Sequence, residues 1–283
     1  GGDNTIVGKD ALDACVTGTS NTAIGNNALG VYTGSNNTAV GFAAMDATTT
    51  GANNVGVGLN ALGANTTGAT NVAVGSGALG ANTTASYNVA VGHNALTTTT
   101  TGDQNVAVGY GALTALTTAA GNIGIGQNAA KLNTTGAGNV AIGWNVFDAN
   151  TTGGNNTALG RDSMSANTTA DNNTAIGYAS LMANTTGTSN VAVGKGALQV
   201  NTTASNNTAI GYNALDANTT GTNNVAVGYT ACGASTTTHS NTGIGYQALL
   251  LNTGSNNTAV GSDVLDACTT GNYNTSVGSQ SMT

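Results

Sequence analysis

Proline is absent from the 283 residues, and lysine and arginine together number four: Lys9, Lys131, Arg161 and Lys195. So few cations cannot neutralise a run of phosphates, which excludes nucleic acid as a partner. Charged residues of both signs make up only 5%, and the net charge is −7. Such charge poverty accompanies disorder unless the remaining residues are strictly patterned. No apolar run approaches the length of a membrane span, so no membrane insertion is expected. Three cysteines exclude a small disulfide framework. Histidine occurs twice, at His93 and His239, and no His, Cys or carboxylate cluster has metal-ligand spacing. The sequence therefore predicts no metal, no cofactor and no enzyme. The chain begins with Gly rather than Met, as expected of a processed product or a fragment.

Repetition is what the chain has in place of diversity. A glycine that follows an aliphatic residue recurs at Gly8, Gly25, Gly41, Gly58, Gly75, Gly92 and onward to Gly278, in 17 copies spaced by 17 residues with two spacings of 16. The array leaves nothing outside it, so residues 1–283 are expected to form a single repeat domain without caps or linkers. Counted from that marker glycine, position −4 is always Asn, −3 is Thr, Val or Ile, and −1 is Val, Ile or Leu. Position −2 is Ala, Gly or Ser, with Ile6 the exception. Position +3 is usually Ala, +4 is Leu or a stand-in such as Met45, Phe147 or Cys232, and a polar Asn-Thr-Thr-Gly run follows.

Seventeen residues are too few for the helix pairs of α-solenoids. Period-two alternation rich in β-branched residues indicates a strand, and the Asn/Thr/Gly runs break helices. The fold class is therefore all-β, a parallel β-solenoid of 17 coils in which each strand pairs with its counterpart in the next coil. At about 4.8 Å per coil it extends roughly 80 Å. The residues at −3 and −1 are expected to point inward against Leu at +4, so that Val108→Asp would bury an unpaired charge. Asn37, Asn54, Asn71, Asn88, Asn105, Asn122, Asn139, Asn156, Asn173, Asn190, Asn207 and Asn224 are expected to stack as an amide ladder. The Ala/Gly positions −2, 0 and +3 then form an outward strip of small residues, which either merely fit a tight coil or, as the preferred reading, pack against another chain to make a homo-oligomer.

The remaining features fit into columns. Cys232 stands in the Leu column as a core filler. Cys15 and Cys268 share a polar column but lie about 70 Å apart, too far to bridge within one chain. "VGKGAL" around Lys195 lacks the spacing of a phosphate loop. Asp10, Asp162 and Asp263 share a column several coils apart and form a solvated edge. Asn-Xaa-Thr triplets at Asn65, Asn82 and their equivalents are by-products of the turn. Position +1 is the most variable column and the richest in aromatics: Phe42, His93, Tyr110, Trp144, Arg161, Tyr178, Lys195, Tyr212, Tyr229 and Tyr246. Of these, Phe42, Tyr110, Trp144, Tyr178, Tyr212, Tyr229 and Tyr246 are the candidates for a partner-binding surface. The bland alternative is stacking that stiffens the repeat or fills a seam between chains.

"NNVAVGY", "NTAIGYNAL" and "NVAVGHNAL" resemble the repeats of YadA-like head domains in trimeric autotransporter adhesins. The "NTTGxNNTAVGYxAL" pattern looks still more like repeats of phage tail-fibre proteins. The likeness covers essentially the whole chain and implies left-handed coils and a homotrimer. With it, the expected function is a non-enzymatic extracellular structural fibre: the shaft of a tail fibre, a surface adhesin or a secreted filament. A head-to-tail filament of stacked, uncapped coils is the alternative assembly. An adhesin binding a cell-surface glycan or receptor through the aromatic column is the alternative function. Ice binding is disfavoured, because adjacent Thr66 and Thr67 point to opposite sides.

Overall fold

The computed structural model describes residues 2–14, 17–30 and 32–282. The chain divides into two compact units, Gly1–Gly138 and Asn139–Thr283. Each is a parallel β-solenoid. Unit 1 contains β1 (Thr5–Val7) to β8 (Ile123–Ile125), and unit 2 contains β9 (Val140–Ile142) to β17 (Thr275–Val277). All the strands are three residues long and pair in register with the equivalent residues one coil away. In unit 1, β6 (Val89–Val91) sets Val89 opposite Val106, Ala90 opposite Ala107 and Val91 opposite Val108 of β7 (Val106–Val108). Among the described residues no helix is long and apolar enough to cross a membrane.

The marker glycine closes each strand. Gly92 has φ 137°, outside the range open to an L side chain. A Cβ there would stand 2.5 Å from the carbonyl oxygen of Gly109 in the next coil. Backbone conformation and close approach both require glycine, which accounts for its strict recurrence.

The strand faces are reversed from the sequence expectation. Position −2 points inward: Ala23, Ala73, Ala90, Ala107, Ala192 and Ala226 are fully buried. Positions −3 and −1 point outward and are half-buried or exposed, as at Val74 (36%), Ile210 (39%) and Leu159 (41%). The small residues are thus the core, and the presumed Ala/Gly strip is no outer surface. Ala at +3 is likewise buried, in Ala61, Ala78 and Ala95. Leu at +4 is buried as expected, but it packs against the −2 column rather than against Val and Ile. A Cβ on Gly124 would come within 2.8 Å of Leu113 Cγ, and one on Gly56 within 2.8 Å of Met45 Cγ. The coil is so narrow that Leu on one wall leaves room only for Ala or Gly on the other.

Leu at +4 also sits in a left-handed backbone conformation, with φ 53° at Leu62 and 50° at Leu79. That conformation costs a bulky residue about 1–2 kcal/mol. Burying a Leu side chain returns about 1.5–3 kcal/mol. The balance favours the turn, and the cost is met afresh in each coil.

The buried Asn at −4 ties successive coils together. In unit 1, Oδ1 of Asn54, Asn71 and Asn88 accepts the backbone N–H of Asn71 (2.8 Å), Asn88 (2.9 Å) and Asn105 (2.8 Å). In unit 2 the same bond joins Asn139 to Asn156 and Asn156 to Asn173, each at 2.9 Å. The Asn122 backbone N–H bonds Asn105 Oδ1 at 2.9 Å, and those of Asn207 and Asn224 bond Asn190 and Asn207. The Nδ2 group reaches a buried carbonyl 14 residues on, as from Asn54 to Gly68 (2.9 Å) and from Asn190 to Ala204 (2.8 Å).

A second Asn column, at +7, converges on those same carbonyls. Asn65 Nδ2 donates to Gly68 O at 3.0 Å and Asn201 Nδ2 to Ala204 O at 3.1 Å. Members of this column also bond each other, Asn82 to Asn65 at 2.8 Å and Asn218 to Asn201 at 3.0 Å. Where the next coil lacks Asn, the ladder stops. Asn218 Oδ1 is buried without a hydrogen-bond partner because Ser235 follows it in the column, as Thr99 follows Asn82. Ser235→Asn restores the missing donor and is expected to raise stability by about 1 kcal/mol in urea unfolding. An unchanged or lower midpoint would show that the column does not act as a ladder at this coil.

Candidate interaction surfaces

The turn that follows each strand exposes position +1, directly after the marker glycine, and parallel register aligns this position from coil to coil. The aromatic candidates accordingly lie on the surface: Phe42 (56% exposed), Tyr110, Trp144 (46%), Tyr178, Tyr212, Tyr229 and Tyr246. In unit 1, Tyr110 stacks on His93 with ring centroids 5.5 Å apart and planes 9° apart. Phe42 has aliphatic Leu59, itself exposed, in the next coil of the column.

Unit 2 fills the column through seven successive coils with aromatic or cationic residues: Trp144, Arg161, Tyr178, Lys195, Tyr212, Tyr229 and Tyr246. The Arg161 guanidinium lies 5.4 Å from the Trp144 ring centroid and 4.8 Å from that of Tyr178. Its Nη2 donates to the Tyr178 hydroxyl at 3.2 Å, and its Nε donates to Asp162 Oδ2 at 2.9 Å. The Asp162 carboxylate, followed by the Tyr178 hydroxyl, raises the guanidinium pKa still further. Lys195 Nζ stands 5.4 Å from the Tyr212 ring, and Tyr212, Tyr229 and Tyr246 stack in turn. The ring faces within this ladder are therefore occupied by neighbouring side chains. What it presents outward is ring edges, phenol hydroxyls and two cations.

The second surface went unrecognised in the sequence. Positions −3 and −1 form two outward ranks on the strand sheet of each unit. Every member of the −1 rank is Val, Ile or Leu, every member of the −3 rank is Thr, Val or Ile, and neither contains a charge. The signal was available: Thr is common at −3, whereas −2 is limited by size to Ala, Gly or Ser in all copies but one. A position that admits hydroxyls faces water, and a position that admits only small residues faces a crowded interior.

The other candidates stay apart. His239 Nδ1 lies 3.0 Å from the Thr222 backbone nitrogen, whose N–H it accepts. Among the described residues no three His, Cys, Asp or Glu side chains group as metal ligands. Asp10 pairs with Lys9, and Asp162 with Arg161. Asn65, Asn82, Asn150 and Asn201 are fully buried, which closes their Asn-Xaa-Thr triplets to glycosylation in the folded chain. Thr66 donates its hydroxyl to Thr83 O at 2.9 Å and is half-buried, while Thr67 is exposed. A surface groove of about 520 Å³ in unit 1 is lined by Ala43, Asp46, Asn60, Gly63, Gly77 and Gly80 and carries a single carboxylate.

No protein-family profile matches the chain, and no curated protein matches it either.

The two described cysteines differ in burial. Cys232 is fully buried, and burial pushes its thiol up to about 12, slightly opposed by the Gly243 backbone. Cys268 takes the place of Asn in the +7 column, partly exposed, with Sγ 3.9 Å from Asn274 Nδ2. Cys15 lies outside the described residues. Iodoacetamide is expected to label Cys268 in the folded chain and Cys232 only after unfolding, as read by peptide mass spectrometry. Because the folded Cys232 thiol titrates above its ordinary 9.0, its contribution to stability is complete below that pH and is lost as pH rises towards 12. Cys232→Ala is expected to remove this part of the alkaline destabilisation.

Proposed function

We propose that the chain is a non-enzymatic structural segment of an extracellular fibre, which assembles side by side with copies of itself. The observation that carries this reading is the pair of uncharged, β-branched ranks at −3 and −1, left open to water in a single chain. The −1 rank is wholly aliphatic, and a contiguous apolar stripe of this kind is rare on monomeric proteins. A second copy suits it best, because only another such sheet repeats at the same inter-strand spacing of about 4.8 Å. Aliphatic side chains in two matched sheets can then interdigitate coil by coil. This face replaces the Ala/Gly strip as the seam, since the latter is filled by the coil's own Leu side chains. A homotrimer is the assembly implied by the adhesin-like repeats.

Low charge and the absence of clustered carboxylates or metal ligands among the described residues support a role in architecture rather than turnover. Repetition suits that role, because each added coil solves a packing problem already solved by its neighbour.

Two single substitutions separate the core from the seam. Ala107→Asp buries a charge inside the coil and is expected to abolish cooperative folding by circular dichroism. Val108→Asp places the charge on the outward rank, so the fold survives while association is lost. Sedimentation equilibrium is expected to give the wild type at three times the chain mass and Val108→Asp near one chain mass. A wild type that is monomeric at micromolar concentration would overturn the proposal.

A further inference from the structure

Tyrosine occupies the +1 column on three successive coils of unit 2, at Tyr212, Tyr229 and Tyr246. Parallel register fixes their backbones one inter-strand spacing apart: β13 (Thr208–Ile210), β14 (Val225–Val227) and β15 (Thr242–Ile244) pair residue for residue immediately before them. The ring centroids are 5.2 and 5.4 Å apart, with planes only 8° and 13° from parallel. All three rings are exposed. The other exposed tyrosines lack this arrangement. Tyr110 stacks on His93, Tyr178 lies against Arg161, and neither Tyr87 nor Tyr273 stacks on another tyrosine.

We propose that Tyr212, Tyr229 and Tyr246 form an oxidative cross-linking site, at which a haem peroxidase using hydrogen peroxide joins adjacent coils through dityrosine. Each of two neighbouring phenols gives one electron to the peroxidase and its hydroxyl proton to solvent, leaving two phenoxyl radicals. Their unpaired spin extends to the ring carbons ortho to oxygen. A carbon–carbon bond forms between two such carbons, and each then releases its hydrogen to a phenolic oxygen as the rings regain aromaticity. In sum, two tyrosines lose two hydrogens and one hydrogen peroxide becomes two waters.

The geometry favours this outcome over coupling between separate molecules. Phenoxyl radicals ordinarily have to meet by diffusion, whereas here the partner ring is already in contact, which makes the step effectively unimolecular. The rings are at the surface, so they can turn from the stacked to the twisted biaryl arrangement without disturbing the core. Tyr229 is shared by both possible pairs. The product closes a 17-residue loop around one coil of unit 2 (from 212 to 229, or from 229 to 246). A covalent clasp is thereby added to a stack otherwise held by hydrogen bonds and packing.

The test treats dilute full-length chain with a haem peroxidase and limiting hydrogen peroxide. Dityrosine fluorescence and peptide mass spectrometry then locate the products. The expected product joins the Tyr229 peptide to that of Tyr212 or Tyr246, two hydrogens lighter than their sum, within one chain. Mixing isotopically light and heavy chains identifies links within a chain by the absence of mixed-mass products. Tyr229→Phe keeps an aromatic ring in the stack but cannot form a phenoxyl radical, and its fluorescence is expected to fall to background. Tyr178→Phe is expected to leave the signal unchanged, so a general loss of folding in either variant is recognised by circular dichroism. Equal fluorescence from the wild type and Tyr229→Phe would overturn the proposal. So would cross-links that map to Tyr87, Tyr110, Tyr178 or Tyr273, or products mainly of mixed mass.

Discussion

The coils between the first and the last depend on a buried asparagine that faces two ways. Its Oδ1 accepts the backbone N–H of the next Asn in the column, and its Nδ2 donates to a carbonyl in the turn that closes the following coil. A buried carboxamide is needed because donor and acceptor are both required in the same small space. Asp at this position would offer no donor, and Ser would not span the gap. Leaving the N–H or the carbonyl unpaired costs about 1–3 kcal/mol for each buried group. The second column, at +7, shares the same carbonyl, so both lone pairs of Gly68 or Ala85 are used. The strands, at three residues, are too short to fix the register alone, and this polar network supplies the missing specification.

The narrowness of the coil follows from the same constraint. Two amide columns and a Leu column share the interior, which leaves space for Ala at −2 and +3 and for little else. Larger aliphatic residues are displaced to the outside of the strand. A fold of this kind has its smallest apolar residues inside and its β-branched residues at the surface, the reverse of a globular domain. The surface becomes usable for association because of that reversal: Val91 and Val108 do nothing for their own coil that a smaller residue could not do. The +1 column lies past the glycine that ends the strand and is free of packing demands. It therefore varies, and in unit 2 its variation has accumulated as the aromatic and cationic ladder.

Fold class, coil length and the special status of the glycine and asparagine columns could all be read from the sequence, since each is a matter of spacing. The direction of the side chains could not be read from hydrophobicity. Val at −1 and Ala at −2 are both apolar, so period-two alternation marks a strand without saying which parity is buried. The size limit at −2 and the threonines at −3, as at Thr157 and Thr174, carry that information, and it becomes compelling only beside the 2.8 Å approach that a Cβ on Gly124 would make to Leu113 Cγ. The +7 asparagines were legible as turn formers, but their burial was not, because Asn-Thr-Thr-Gly has the composition of a solvated loop. Left-handed Leu residues such as Leu62 were illegible for a related reason. A bulky side chain ordinarily argues against positive φ, and only the gain from burial reverses the argument.

Hydrogen exchange of side-chain amides tests the central claim most directly, read by NMR on uniformly labelled chain. If the asparagine columns hold the coils together, the Nδ2 protons of Asn71, Asn88 and Asn190 exchange as slowly as the backbone N–H groups of the strands, while those of exposed Asn53 and Asn206 exchange freely. Fast exchange at the buried carboxamides beneath protected strands would contradict the account, because the coils would then be held by the backbone alone.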